Sequence, residues 1–316
     1  MCVHNEQKYI YDTIKSILNQ TFKDFELIIV NDGSQDNSMQ IIKSFNDDRI
    51  KIINNNKNKG LTKSLNIGLK SCKGEYTARI DGNDLMDTNR LEKQFNYLNN
   101  HKEIAVLGSY FICINGDGDK VDKLDWPVGI DANIYRLLYA ENPVGHPGVM
   151  IKTDILLTVG GYREEFYYSQ DIDLWLRIYS KGYLIDNLPE YLTLYRMTNE
   201  SISNKKRLNQ IEYHKLAFIE FYKNITGKSI SEIKLDKYLS QILLREKNIT
   251  SKDIFDIFII FYYLHSKLIK ILNRPMNAEY YYNKLGDNFK LNKFISFKLL
   301  KYFIIKFPKV INIILY

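Results

Sequence analysis

Three cysteines in 316 residues, Cys2, Cys72 and Cys113, are odd in number, scattered, and contain no C-x-x-C pair. That excludes a disulfide framework and a cysteine zinc site, and it fits a reducing cytoplasm. No charge-free apolar run reaches the ~20 residues that a membrane-crossing helix needs. The opening residues do not read as a basic-then-apolar leader. What is present is ordinary globular material: 45% hydrophobic and 26% charged residues, ample for a core. The length suggests one large domain with an appendage, or two domains.

The net charge of +7 is unevenly spread. Residues 1–200 carry 23 basic and 28 acidic side chains, a balance of −5, whereas residues 201–316 carry 21 and 9, a balance of +12. An acidic segment suits metal and chemistry, and a basic one suits a polyanion or an anionic membrane face.

The first hundred residues alternate helix-like and strand-like segments. "NEQKYIYDTIKSILNQ" sets Ile10, Ile14, Ile17 and Leu18 on one helical face, with Asn5 available as an N-cap. "FELIIV" reads as a strand buried on both faces. "DNSMQIIKSF" follows as a helix, "IKII" as a strand, "GLTKSLNIGLK" as a helix, "EYTARI" as a strand and "TNRLEKQFNYLNN" as a helix. This order predicts an α/β fold with a mostly parallel sheet flanked by helices. A crossover unit of this kind starts with a strand, yet only "MCV" precedes Asn5. The expectation is a first strand cut short, with Met1 an internal methionine.

Ligands on such sheets bind beyond the carboxyl ends of the strands, and two acidic motifs fall there. "NDGSQD" follows "LIIV", with Gly33 permitting a tight turn and Asp32 able to accept from a nucleobase N–H. "DGNDLMD" follows "TARI" and packs Asp81, Asn83, Asp84 and Asp87 into seven residues. Alone, such a cluster is most simply turn and capping chemistry. Paired with the first motif it suits Mg²⁺ or Mn²⁺, which take one or two carboxylates plus substrate phosphates. Neither motif is G-x-G-x-x-G or a P-loop.

These segments resemble glycosyltransferase family 2, with its GT-A fold. "NEQKYIYDTIKSILNQTFKDFELIIVNDGSQDNS" is similar to its nucleotide-binding opening, and "NKGLTKSLNIGLKSCKGEYTARIDGNDLMDTNRLEKQ" to the block ending in its D-x-D motif. "GHPGVMIKTDILLTVGGYREEF" followed by "SQDIDLWLRIYSKGY" resembles the acceptor-side block. The resemblance covers about residues 1–203. It implies transfer of a sugar from a nucleotide-diphosphate donor to a hydroxyl, with inversion at the anomeric carbon. It assigns Asp32 to the donor base, Asp81 and Asn83 to the ends of D-x-D, and Asp171 to the general base. Asp81, Asn83 and Asp84 are the expected ligands of Mg²⁺ or Mn²⁺. Asn83 departs from the motif, since an amide can ligate a cation but brings no charge: either Asp84 takes the stronger role or the metal binds less tightly. Lys59 and Asn66 are candidate phosphate or ribose contacts, with a solvated loop lysine the simpler alternative for Lys59. Thr198 stands where relatives often carry His, and His4 replaces a usual Tyr. His146, before Pro147, reads first as a turn residue. Asp173 is expected to project away from Asp171, because residues two apart do not share a helical face.

Residues 204–316 read as a basic helical region. "DIFDIFIIFYYLHSKLIKIL" and "FKLNKFISFKLLKYFIIKFPKV" interleave lysines with aromatic and aliphatic residues. Either they form a helical subdomain with solvated basic faces, or they lie on an anionic leaflet. No nucleic-acid module is present. The expected partners are a nucleotide-sugar donor, a glycan or lipid-linked acceptor and an anionic membrane surface. The expected location is cytoplasmic or peripheral on the inner face of the cell membrane. The alternative function is a truncated, inactive relative that binds a nucleotide or a partner without turnover.

Overall fold

The computed structural model describes residues 1–138, 141–198 and 207–227, together with 264, 267, 268 and 270–273. Strands β1 (Cys2–Val3), β2 (Leu27–Asn31) and β3 (Ile50–Asn54) form a wholly parallel sheet in that order. Every residue of β2 is buried, as its unbroken apolar run requires. Helices α1 (Ile10–Leu18), α2 (Ser38–Lys43) and α3 (Leu61–Leu69) alternate with these strands. Ile10, Ile14 and Ile17 of α1 are buried at helical spacing.

Asn5 does not cap α1. The helix begins after Tyr9 with no side-chain cap, and Asn5 adopts φ 58°. Its Oδ1 instead accepts from the Gln35 N–H at 2.8 Å, and its own N–H donates to Ser34 Oγ at 3.1 Å. Asn5 thereby ties the loops that leave β1 and β2.

The second sheet is mixed. It comprises β4 (Tyr76–Ala78), β5 (Leu85–Met86), β6 (Ile104–Ile114), β7 (Lys120–Leu124), β8 (Met150–Lys152) and β9 (Leu184–Arg196). Its order is β4-β8-β6-β9-β5, with β7 on β6. Only β6 and β9 pair in parallel; the other pairs are antiparallel. Parallelism thus belongs to the first sheet, where strand and helix alternate, and is largely lost beyond it.

Helices α4 (Arg90–Asn100), α5 (Ile130–Leu138), α6 (Thr153–Thr158), α7 (Gln170–Ser180) and α8 (Arg207–Thr226) complete the described elements. Arg90, fully buried, fastens α4 to the second sheet by donating to the carbonyls of Arg79 (2.7 Å), Val149 (3.2 Å) and Pro147 (3.2 Å). Helix α8 packs on α7. Its Phe218, Phe221 and Tyr222, with Leu264, Leu268 and Leu272, belong to the same hydrophobic core as the sheets. Both tail segments expected to be basic helices lie outside the described residues, apart from positions 264, 267, 268 and 270–272. No helix among the described residues is long and apolar enough to cross a membrane.

Candidate active site

The Asp32 side chain is buried at the end of β2. Gly33 turns the chain with φ 68°, and a Cβ there would meet the Lys57 and Asn58 backbone at 2.6 Å. Only glycine permits that approach. It brings the loop before α3 onto the Asp32 carboxylate. Oδ1 accepts from Asn55 Nδ2 and from the Lys59 N–H, both at 2.8 Å, and Oδ2 accepts from the Gly60 N–H at 2.9 Å. With one bond on Oδ2, that oxygen keeps lone-pair capacity for a further donor. Lys59 meets Asp32 through its backbone, while the residue itself is exposed.

The second motif follows β4. Arg79 and Asp81, two residues apart on an extended chain, share a face. The buried Arg79 guanidinium donates to both Asp81 oxygens, at 3.1 and 2.5 Å. Asp81 is nonetheless 32% exposed, and Asn83 is half-buried beside it. Asp84 differs. It is 0% exposed; Oδ1 accepts from the Arg196 N–H at 2.8 Å, and Oδ2 is buried with no partner among the described residues. Burial, followed by the Asp81 charge, pushes its carboxyl well above the usual carboxylate range. Among the described residues no cluster of three or more His, Cys, Asp or Glu side chains is placed to hold a metal. The donor set fits a cation that takes one carboxylate and one amide oxygen from the protein and the rest from phosphates. Exposure favours Asp81 and Asn83 for those contacts. Asp84 is buried and, through the Arg196 N–H, ties this loop to β9.

The third carboxylate sits at the head of α7. Asp171 Oδ2 accepts from Asn142 Nδ2 at 2.9 Å, and Oδ1 has no partner among the described residues. Two α7 features set its pose: the helix N-terminus favours an anion there, and Ser169 before it is left-handed at φ 56°. Ser169 Oγ is fixed by the Gln210 carbonyl of α8 at 3.1 Å. His214, also on α8, lies within electrostatic range: burial pushes its imidazole down, and the Asp171 charge opposes that shift.

Asn66 and Thr62 of α3 explain how this arm reaches the other two. Asn66 donates to the Tyr162 carbonyl at 2.7 Å and accepts from the Tyr162 N–H at 2.9 Å. Thr62 Oγ1 donates to the Phe166 carbonyl at 3.0 Å. Both ends of the Asn66 amide thus bond the Tyr162 backbone. His146 is buried, with Nε2 on the Tyr162 hydroxyl at 2.9 Å, and burial drives its pKa well below the ordinary value. The chain of contacts thus runs from Asp32 through Gly60 and α3 to Tyr162.

Asp173 does not project to solvent. It is 2% exposed, accepts from Arg177 Nε at 2.9 Å, and also receives Arg163. Arg177 in turn donates to the Gly161 carbonyl at 2.7 Å. Sequence reasoning also missed Arg79 and Asn142. Arg79 was findable, since an i, i+2 pair on a strand shares a face. For Asn142, 29 residues from Asp171, no local signal exists.

A nucleotide-type α/β sheet carrying carboxylates at its strand ends, joined to a mixed second sheet, is the GT-A architecture of glycosyltransferases. A family model described as glycosyl transferase family 2 matches residues 1–156. The O-antigen biosynthesis glycosyltransferase WbnJ of Escherichia coli is 36% identical over 233 residues, 72% of this chain and 89% of WbnJ. Among solved structures, S. aureus TarS residues 1–349 in complex with UDP-GlcNAc superposes with a TM-score of 0.60 at 18% identity, covering 92% of this chain and 88% of that one. The mannosyltransferase PcManGT from Pyrobaculum calidifontis, in complex with GDP-Man and Mn²⁺, gives 0.54 at 12%, covering 95% and 81%. The chain belongs to glycosyltransferase family 2. It is a glycosyltransferase with relatives in O-antigen and polysaccharide biosynthesis.

Proposed function

We propose that the protein transfers a sugar, with inversion, from a nucleoside-diphosphate donor to a hydroxyl of a cell-surface glycan or its lipid-linked precursor. The observation that carries this reading is the fastening of the Tyr162–Phe166 segment to α3, the helix whose start Asp32 holds. Asp171 takes the proton from the acceptor hydroxyl at Oδ1. The acceptor oxygen bonds to the anomeric carbon from the face opposite the leaving group, and the bond from that carbon to the phosphate oxygen breaks. The electron pair leaves with the nucleoside diphosphate. Asp81 and Asn83 would hold a Mg²⁺ or Mn²⁺, which would supply positive charge to stabilise this leaving group. Asp32 receives a donor N–H of the base on Oδ2, and Lys59 offers its ammonium to the phosphates. TarS with UDP-GlcNAc and PcManGT with GDP-Man and Mn²⁺ support the donor class.

A panel of nucleotide sugars, each tested with Mn²⁺ and with chelator, checks this by thermal unfolding. A matching donor at 100 times its Kd is expected to add about 2.7 kcal/mol of stability, and only with metal. Equal stabilisation in chelator would reduce the Asp81–Asp84 cluster to a turn. Asn83→Asp, which adds a carboxylate, is expected to tighten the metal measured by calorimetry. Asp32→Ala is expected to weaken donor binding and also to destabilise the fold by about 1–3 kcal/mol, because the Lys59 N–H loses its acceptor while the Gly60 N–H and the Asn55 amide keep only Asn58 and Ser64.

The +12 balance of residues 201–316 supports attachment to an anionic membrane face. Co-sedimentation with anionic vesicles, reversed by high salt, is the expected result. Equal sedimentation on neutral vesicles would contradict it.

A further inference from the structure

The helix that carries Asp171 does not itself hold the carboxylate. Asp171 lies in the first turn of α7, where an acidic side chain can cap a free N–H. Its hydrogen-bond partner among the described residues is instead Asn142, whose Nδ2 donates to Oδ2 at 2.9 Å. An ionised carboxylate only accepts, so the amide presents its nitrogen there and not its oxygen. The turn is pinned from its other side, since Ser169 Oγ donates to the Gln210 carbonyl of α8 at 3.1 Å.

Asn142 stands in the chain between α5 and β8, flanked by two fixed neighbours. On one side, the Glu141 N–H donates to the Arg136 carbonyl at 3.0 Å, and the Glu141 carboxylate pairs with the Arg136 guanidinium at 2.9 Å. That guanidinium lies over the Trp126 ring, 5.7 Å from its centre. On the other side, the Pro143 carbonyl accepts from Asn187 Nδ2 at 3.0 Å. Asn187 is buried on β9 and also donates to the Pro127 carbonyl at 2.8 Å. Pro143 further confines the backbone of the residue before it to extended conformations, and Val144, Gly145 and His146 beyond it are buried. The amide is therefore carried on a stretch with little freedom, although no regular element contains it.

The terminal torsion of an aspartate is broad and two-fold, so an unheld carboxylate turns and offers either oxygen. A donor fixed on Oδ2 sets the plane of the group and leaves Oδ1 open. A base must lie within hydrogen-bond reach of the proton it takes, and a misplacement of about 1 Å can cost roughly 10² in rate. We propose that Asn142 is a positioning residue, which through Oδ2 aims Oδ1 of Asp171 at the acceptor hydroxyl. The inference rests on Asp171 being the base. The bond is present without donor, so its loss acts on the chemical step and not on donor affinity.

The test measures single-turnover rate per folded molecule, donor Kd and melting temperature for Asn142→Ala and Asn142→Leu. Each is made in the parent and in Asp171→Asn, and the donor is one found by thermal stabilisation. Leu is close to Asn in size and keeps the space filled. In the parent, both substitutions are expected to slow turnover roughly 10–10²-fold and to change donor Kd less than about twofold. In Asp171→Asn, where no base remains to be aimed, they are expected to slow it no further. A role in packing alone would lower the rate by the same factor in both backgrounds, and that result would overturn the proposal. So would parent-like turnover of both Asn142 variants beside an inactive Asp171→Asn, which would keep the base and remove its guide. An Asp171→Asn protein that turns over like the parent would sink the base and its positioning residue together.

Discussion

Asp171→Asn is expected to cut turnover by roughly 10²–10⁴ while leaving donor affinity nearly unchanged. The amide is close in size and still accepts the Asn142 hydrogen bond, but it cannot take a proton from the acceptor hydroxyl. In the proposed reading the base stands on α7 beside α8, and the donor contacts stand at the ends of β2 and β4. Single-turnover kinetics with a donor identified by thermal stabilisation separate the two effects. A rise in donor Kd with unchanged turnover would place Asp171 on the donor side and remove it as the base.

Two residues further along α7, the expected failure has another origin. Asp173→Asn is expected to destabilise the protein by about 3 kcal/mol, because it removes the carboxylate that receives both Arg163 and Arg177. For a domain of this size the melting temperature should fall by roughly 6–12 °C. The sequence alone places Asp173 on a different face of its helix from Asp171. The structure makes it the buried anchor that joins the Gly161 turn, Arg163 and Glu220 of α8. Thermal unfolding together with activity at low temperature distinguishes the two positions: Asp171→Asn should melt like the parent and fail to turn over. Asp173→Asn should melt early and retain activity per folded molecule. An unchanged melting temperature for Asp173→Asn would show that the two arginines find other acceptors.

Local pattern carried the first half of the fold well. The run "LIIV" and the spacing of Ile10, Ile14 and Ile17 are statements about burial that neighbours cannot easily override, and β2 and α1 form where they stand. Helix ends were less legible, because Asn5 spends its side chain on Gln35 rather than on a cap. The long strands β6 and β9 escaped notice. Eleven residues of β6 are almost uniformly buried, so no alternation marks them, and their partner lies some 80 positions away in the chain.

At the site, the positions of Asp32, Asp81 and Asp171 at element ends follow from the order of strand and helix. What each carboxylate touches does not. By charge Asp84 is the alternative to Asn83 as a ligand, yet it is buried, and the N–H of Arg196, 112 residues later, donates to it. Asn66 looked free to meet a ligand, yet Tyr162, 96 residues later, takes both ends of its amide. Such pairings depend on tertiary packing, and spacing within one segment carries no trace of them.

The anomeric configuration of the product is the most direct measurement. With a donor chosen by stabilisation in Mn²⁺ and a simple hydroxyl acceptor, proton NMR of the fresh product should show the configuration opposite to that of the donor, with no glycosyl-enzyme adduct by mass spectrometry. A product that retains the donor's configuration would contradict a single displacement with Asp171 as base.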